Sequence, residues 1–260
     1  MVDLTGFSFL DFGASAGGSI NWASGAFGGK GFGVDIDPKK ITLLQSKGHQ
    51  GMVADATSLD LPDNCVRYVT MINFLEHLPA PALGEAMLDS AIRVASDFVF
   101  ILGPDFEGAA PLRERGFKKY FADWSGHTWH HRTHEFERIL GKYPQYRSQV
   151  FQAQRIFDSF DRAIHPVAAA RNSGPYDAAI HPAKQFTVFD TKIFQTLMVV
   201  IAKHEAVNID RIMMRSLGLH IQYGREHDKP IYGSDPTGTA ETSTEPKLPL
   251  KKSPALIKSA

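Results

Sequence analysis

Alternation is the feature that most limits what this chain can fold into. Through its first hundred residues, short apolar runs rich in Val, Ile and Phe recur between segments of helical spacing. The runs "FSFLDF" (7–12), "GFGVDI" (31–36), "GMVA" (51–54), "VRYVTMINF" (66–74) and "DFVFILG" (97–103) have the length and composition of buried strands. Between them, "DPKKITLLQSKG" opens with Asp37 as N-cap and Pro38 at the first helical position, and closes at Gly48 as C-cap. "PALGEAMLDSAIRVAS" repeats its apolar positions at helical spacing. Strands that alternate with helices predict a parallel sheet covered on both faces, because each parallel neighbour needs a crossover.

The chain has 260 residues, 43% of them hydrophobic, which is enough for the core of one full domain with a smaller appendage. Its 28 Lys and Arg balance 28 Asp and Glu, so no general attraction to nucleic acid or anionic lipid is implied. A single cysteine, Cys65, excludes an internal disulfide and a cysteine-built zinc site and suits a reducing compartment. No signal-type segment opens the sequence and no run approaches the apolar length of a membrane span, so a cytoplasmic protein is expected.

After Gly103 the texture changes. "PDFEGAAPLRERGFKKYFADWSGHTWHHR" is rich in Gly, Pro, aromatic and basic residues and reads as a long loop, the kind of segment that carries function. "THEFERILGKY" reads as a helix capped by Thr133, with Glu135 and Glu137 at the positive end of its dipole. Strand-like "SQVFQAQRIF" and "FQTLMVVIAKH" follow, with a second insertion between them. The expected organisation is one domain over 1–233, acceptor-site insertions at about 104–132 and 158–187, and a tail, 234–260, whose composition predicts disorder.

The chemistry concentrates at the strand ends. In "FLDFGASAGGSI" the first strand runs into a turn with Gly13, Ser15, Gly17 and Gly18 just after Asp11. Such a turn lets a ligand approach the backbone and its free amides. A dinucleotide brings an anionic pyrophosphate, which Asp11 would repel, whereas S-adenosylmethionine brings a cationic ammonium and sulfonium. The alternative is a tight structural turn with a solvated Asp11. Asp35 ends the second strand where an acid can accept both ribose hydroxyls, its other possible role being to cap the helix that Asp37 already serves. Asp55 follows the third strand, placed to accept from an adenine amino group or to shape a turn. Asn73, Glu76 and His77 follow the fourth.

Taken together, "LDFGASAGG", "GVDIDP", "VADATSLDLPDN" and "INFLEHLP" resemble the class I S-adenosylmethionine-dependent methyltransferases of small-molecule and glycan type, over residues 7 to 103. The resemblance implies a Rossmann-like, doubly wound α/β fold: a mostly parallel seven-stranded sheet with helices on both faces and an antiparallel last strand. It implies S-adenosyl-L-methionine as cofactor, bound by Asp11, Gly13, Ser15, Gly17, Asp35, Ile36, Asp55, Ala56 and Asn73. Gly13 and Gly17 would cradle the methionine part, Asp35 hold the ribose, Ile36 pack on adenine, and Asp55 with Ala56 read its edge. Ser15 stands where many members have glycine, and Val66-Arg67 stands where Phe-Asp is usual. With the first strand starting so soon, cover over the cofactor is expected from the later loops.

"GHTWHHRTHEF" adds His127, His130, His131 and His134. Their spacing invites a metal reading, but Arg132 among them would repel a cation, so no metal is expected. Similar methyltransferases carry aromatic and histidine-rich stretches near the acceptor, so one of His127, His130 and His131 is the expected base, with His77 and Glu76 in reserve. The alternative is that Trp124, Trp129 and these histidines merely pack over the sheet edge. The expected activity is O-methylation of a hydroxyl on a glycan or small molecule, with nucleic acid not the expected acceptor. The competing readings are a nicotinamide-dependent reductase, for which no Tyr-x-x-x-Lys is present, and a non-catalytic binding module.

Overall fold

The computed structural model describes residues 2–218. The tail from Ser234, and the last part of the expected domain, lie outside the described residues. Among the described residues nine strands and six α-helices follow in the order β1 (Phe9–Phe12), α1 (Gly18–Phe27), β2 (Gly31–Asp35), α2 (Pro38–Ser46), β3 (Gln50–Val53), β4 (Val66–Ile72), α3 (Pro81–Val94), β5 (Ala95–Pro104), α4 (Ala109–Glu114), β6 (Phe117–Lys119), α5 (Thr133–Leu140), β7 (Arg147–Asp158), β8 (Ile164–Pro166), β9 (Val188–Ala202) and α6 (Ile209–Ser216). Among the described residues no helix is long and apolar enough to cross a membrane.

Seven strands form one sheet in the order β3-β2-β1-β4-β5-β9-β7. The first five are parallel, and β9 enters antiparallel between β5 and β7. Alternate residues face opposite layers: Leu10 and Phe12 join the core beneath α3 and α5, while Phe9 joins the one beneath α1, α2 and α6. Across that second face Phe9, Tyr68 and Phe98 stack with centroids 4.6 and 4.7 Å apart, and the Tyr68 hydroxyl donates to the Gly28 carbonyl at 2.6 Å.

The local signals explain the element starts, with one correction. Asp37 accepts from the Lys39 amide at 2.8 Å and Pro38 opens α2, as its sequence predicts. Thr133 does not cap α5. It is the first helical residue, Arg132 is the N-cap, and the Glu135 carboxylate accepts the Arg132 amide at 2.8 Å.

The stretch expected to be one long loop after Gly103 is also partly regular. It forms α4 and β6, and β6 pairs antiparallel with β8 from the second insertion. Phe106, Leu112, Phe117, Ile164, Phe189 and Ile193 close a third, smaller core around that pairing. The partner strands explain its position. β9 leaves β5 at the pair Pro104↔Thr196 but stays paired with β7 as far as Asp158↔Val188, so a ribbon extends past the sheet's carboxyl edge and carries residues 159–187 at its tip.

Candidate active site

The turn after β1 is held by its neighbours before any ligand arrives. Gly13 and Ala14 donate their amides to the Val34 carbonyl at 2.8 and 3.2 Å, and Ser15 donates to Asp35 Oδ2 at 3.0 Å. Gly13 and Gly17 have positive φ values, and a side chain would collide with the Phe74 ring at the first and with His49 at the second. Ser15 takes the left-handed region too, at φ 47°. Gly17 is the N-cap of α1 without a side chain to satisfy its first amides, which leaves a positive dipole end at the turn.

Three acids border this turn in different states. Asp11 is fully buried beneath it, where Oδ1 accepts from the Thr70 hydroxyl at 2.6 Å and Oδ2 from the Ser19 hydroxyl at 2.5 Å. Burial raises its pKa to about 6 against the pull of those two hydroxyls. Asp35 closes β2, with Oδ1 accepting from the Asp37 amide at 3.0 Å and Lys40 lying 3.9 Å from Oδ2. Beside it Ile36 is 70% exposed, a bare apolar side chain at the mouth of the turn. Asp55 is exposed and accepts from the Thr57 hydroxyl and amide at 2.7 and 2.9 Å, which holds its pKa below the usual range. Ala56 is buried, and Asn73 is exposed in the left-handed region at φ 48°, its amide on the Leu102 carbonyl.

Beyond Phe74 a 3-10 turn, Leu75–His77, presents Glu76 and His77 to the histidine segment. The Thr128 and Trp129 amides both donate to the Glu76 carbonyl, at 2.8 and 3.1 Å, so the segment docks on the end of β4. The His77 and His127 rings meet at 4.9 Å. Each fixes its Nδ1 by donating to a carbonyl, of Gly126 at 2.8 Å and of Phe121 at 2.9 Å, which leaves the Nε2 lone pair available. Glu76 is 2% exposed, and burial raises its carboxyl to about 7.

The three loop histidines gather around one ring. Phe106 stacks on His130 at 4.3 Å and meets His131 at 5.4 Å and His127 at 5.9 Å. His130 is exposed, His127 half-buried and His131 buried; burial lowers the pKa of all three, to about 4 for His131. His134 is exposed on α5 and stands apart from this ring cluster. Glu76, held in reserve by the sequence reading, thus stands at the centre, because only the chain's return from residue 104 to 131 reveals what covers it.

The two lysines of the first insertion's basic run are structural. Lys118 donates to Asp123 and the Ala169 carbonyl at 2.6 and 2.5 Å, and Lys119 is buried 3.6 Å from Asp105. Burial lowers Lys119 to about 8 against the pull of Asp105. Neither amine offers a surface to nucleic acid.

Residues 10–95 match the family described as a methyltransferase domain. Among solved structures, a SAM-dependent methyltransferase from Archaeoglobus fulgidus shares the fold at 16% identity and a TM-score of 0.53, over 77% of this chain and 89% of that one. The YcgJ protein from Bacillus subtilis does so at 14% identity and a TM-score of 0.51, over 76% and 92%. No curated protein matches the sequence. With the domain match, the sheet order and the turn in place, the nicotinamide and non-catalytic readings fall away: residues 10–95 carry a methyltransferase domain on a Rossmann-like sheet, and S-adenosyl-L-methionine is the methyl donor.

Proposed function

We propose that the protein methylates a hydroxyl group on a small molecule or glycan, with the cofactor across the carboxyl ends of β1 to β4. In this reading the methionine carboxylate meets the uncapped start of α1. Asp35 accepts the ribose hydroxyls, Ile36 covers adenine, and Asp55 with Ala56 meets its amino edge. Asp11, already satisfied by two hydroxyls, acts through the turn it supports and through its field on the cationic ligand.

The observation that carries the acceptor assignment is the Glu76, His77 and His127 group. Glu76 and His77 follow closely after Phe74, whose ring packs against Gly13, and the His127 ring meets that of His77. An oxygen nucleophile must lose its proton as the methyl arrives, and this group supplies the acid–base chemistry beside the turn. The C–O bond forms as the C–S bond breaks, S-adenosylhomocysteine leaves, and the hydroxyl proton passes out through this group. Alignment supplies most of the remaining acceleration, because the sulfonium is already a good leaving group. The exposed Trp124 and the His130–Phe106 stack provide flat amphipathic surfaces suited to a sugar face.

Two measurements test this reading. Calorimetry with S-adenosylhomocysteine should show Asp35→Ala weaker by roughly 1.5 to 3 kcal/mol, the size expected for lost hydrogen bonds to a charged group; unchanged affinity in a folded variant would remove the ribose assignment. A labelled-methyl screen of hydroxyl, amine and thiol acceptors should label hydroxyl compounds, and labelling of amines or thiols alone would overturn the oxygen assignment.

A further inference from the structure

Glu76, His77 and His127 each place one ligand atom within 4.8 Å of the other two. Main-chain carbonyls orient both imidazoles through Nδ1, the outer arrangement that metal-binding histidines use to fix tautomer and ring. Glu76 supplies a second, independent observation. Its side chain is nearly inaccessible to solvent, yet Oε2 has no hydrogen-bond partner among the described residues, and no described lysine or arginine forms an ion pair with it. A buried carboxylate left in that condition is costly. Space is also kept open beside it. A Cβ on Gly103 would come within 3.4 Å of Oε2 and 3.3 Å of His131 Nε2, so a larger residue would crowd the gap between them.

We propose that Glu76, His77 and His127 bind one divalent transition-metal ion, with its remaining coordination positions open toward the methyl acceptor. Two imidazoles and one carboxylate form the donor set of catalytic zinc sites and suit first-row transition ions, whereas magnesium and calcium require oxygen-dominated sets. The fold assembles the ligands in advance. Glu76 and His77 share one 3-10 turn, and His127 is tied to that turn through the following two amides. Such an ion requires metal–ligand distances of about 2.0–2.2 Å, so the three ligand atoms would draw closer together on binding it than the spacing they show without it. Arg132, whose charge argues from the sequence against a cation here, is exposed at the start of α5 and does not act on Glu76 or His127.

What the ion does rests on the methyl-transfer reading. With the ion bound, these three side chains would hold it instead of taking the proton themselves. The ion would lower the pKa of an acceptor hydroxyl at an open position, so that its proton passes to water as its oxygen attacks the methyl and the C–S bond breaks. Binding of the ion itself does not depend on that reading, and the test keeps the two apart. The full-length chain is stripped with chelator and titrated with cobalt(II), whose visible d–d bands report coordination by the protein. One cobalt per chain is expected, displaced by zinc but not by magnesium. Glu76→Gln and His127→Ala should each weaken cobalt by about tenfold or more, while His134→Ala, at an exposed histidine outside the group, leaves the bands unchanged. Circular dichroism confirms that each variant is folded, and S-adenosylhomocysteine binding is measured on the same samples. Absence of protein-dependent bands, or equal bands in all variants, overturns the site even where S-adenosylhomocysteine still binds. Bands lost in the two ligand variants alongside absent S-adenosylhomocysteine binding would uphold the ion site and overturn the functional reading.

Discussion

The half that the proposed function gives to the cofactor and the half that it gives to the acceptor treat their buried polar groups in opposite ways. Before Glu76, no buried side-chain nitrogen or oxygen of the described residues lacks a partner: Asp11 is satisfied by two hydroxyls, and Asp35 by two backbone amides. From Glu76 onward such atoms accumulate, on Glu76, Asp123, His131, Thr133 and His165, with Ser90 the one case on α3. The first half is complete without its ligand, because a parallel strand end and a turn supply their own bonds. The second half is closed by side chains from distant segments and keeps polar atoms unpartnered, one of them on the Glu76 to which the proposed function gives the acceptor chemistry.

The largest test of that contrast is Lys119→Ala. Lys119 lies in the acceptor half with its amine on the Asp105 and Glu107 carbonyls at 2.5 and 2.9 Å and with the buried Asp105 carboxylate nearby. Removing it leaves the buried Asp105 carboxylate without its cation, bonded only by the Gln152 side chain and the Glu107 amide, and denaturant unfolding should show a loss of about 3 to 5 kcal/mol. A loss under about 1 kcal/mol would mean that water reaches this pair and that the acceptor half is not sealed as described.

A smaller effect is expected on the cofactor side, at Asp11. Its pKa rises from 3.8 unfolded to about 6 folded, so the folded state binds this proton more tightly. The resulting stability is fully present below about pH 4 and is lost as the pH rises through about 6. The whole shift corresponds to about 3 kcal/mol at most. Asp11→Asn removes this titration and can still bond both hydroxyls, so the ligand-free variant should gain stability over the wild type at pH 8 and little or none at pH 4. An equal difference at both values would show that Asp11 is not desolvated by the turn.

The same contrast governs what the sequence could tell. The strands β1 to β5 and the cap of α2 were legible because they follow rules of local spacing: period, Val and Ile content, Asp37 ahead of Pro38. The ligand turn was legible for the same reason, although the burial of Asp11 beneath it depends on Thr70, fifty-nine residues away. On the acceptor side the local rules point elsewhere. Lys118 and Lys119 fall in a stretch that reads as a long loop and are buried, since a lysine enters a core only when distant carbonyls and acids meet it, here from residues 105 to 169. Thr133 reads as a cap and is not one, because Glu135 reaches back to the Arg132 amide and moves the boundary by one residue. Glu76 and His127 are brought together by the Thr128 and Trp129 amides, which donate to the Glu76 carbonyl from far along the chain, a relation with no periodic trace.

The smallest effect expected lies at Ser15, where the cofactor half departs from the glycine common in similar turns. Ser15 holds φ 47°, a region that places its Cβ against the backbone and costs of order 1 kcal/mol or more. Its amide nevertheless donates to Asp35, so the turn keeps this geometry in spite of the strain. Glycine would relieve the strain but would lose about 0.5 to 1 kcal/mol through the greater freedom of the unfolded chain. The two terms nearly cancel, and Ser15→Gly should change unfolding free energy by less than about 1 kcal/mol, with S-adenosylhomocysteine affinity within a few-fold of the wild type. The serine side chain is exposed and no other residue depends on its presence for a main-chain bond. A tenfold loss of affinity in the glycine variant would therefore assign the Ser15 hydroxyl a direct bond to the cofactor, and would mean that this half of the molecule, too, holds a polar group in reserve for its ligand.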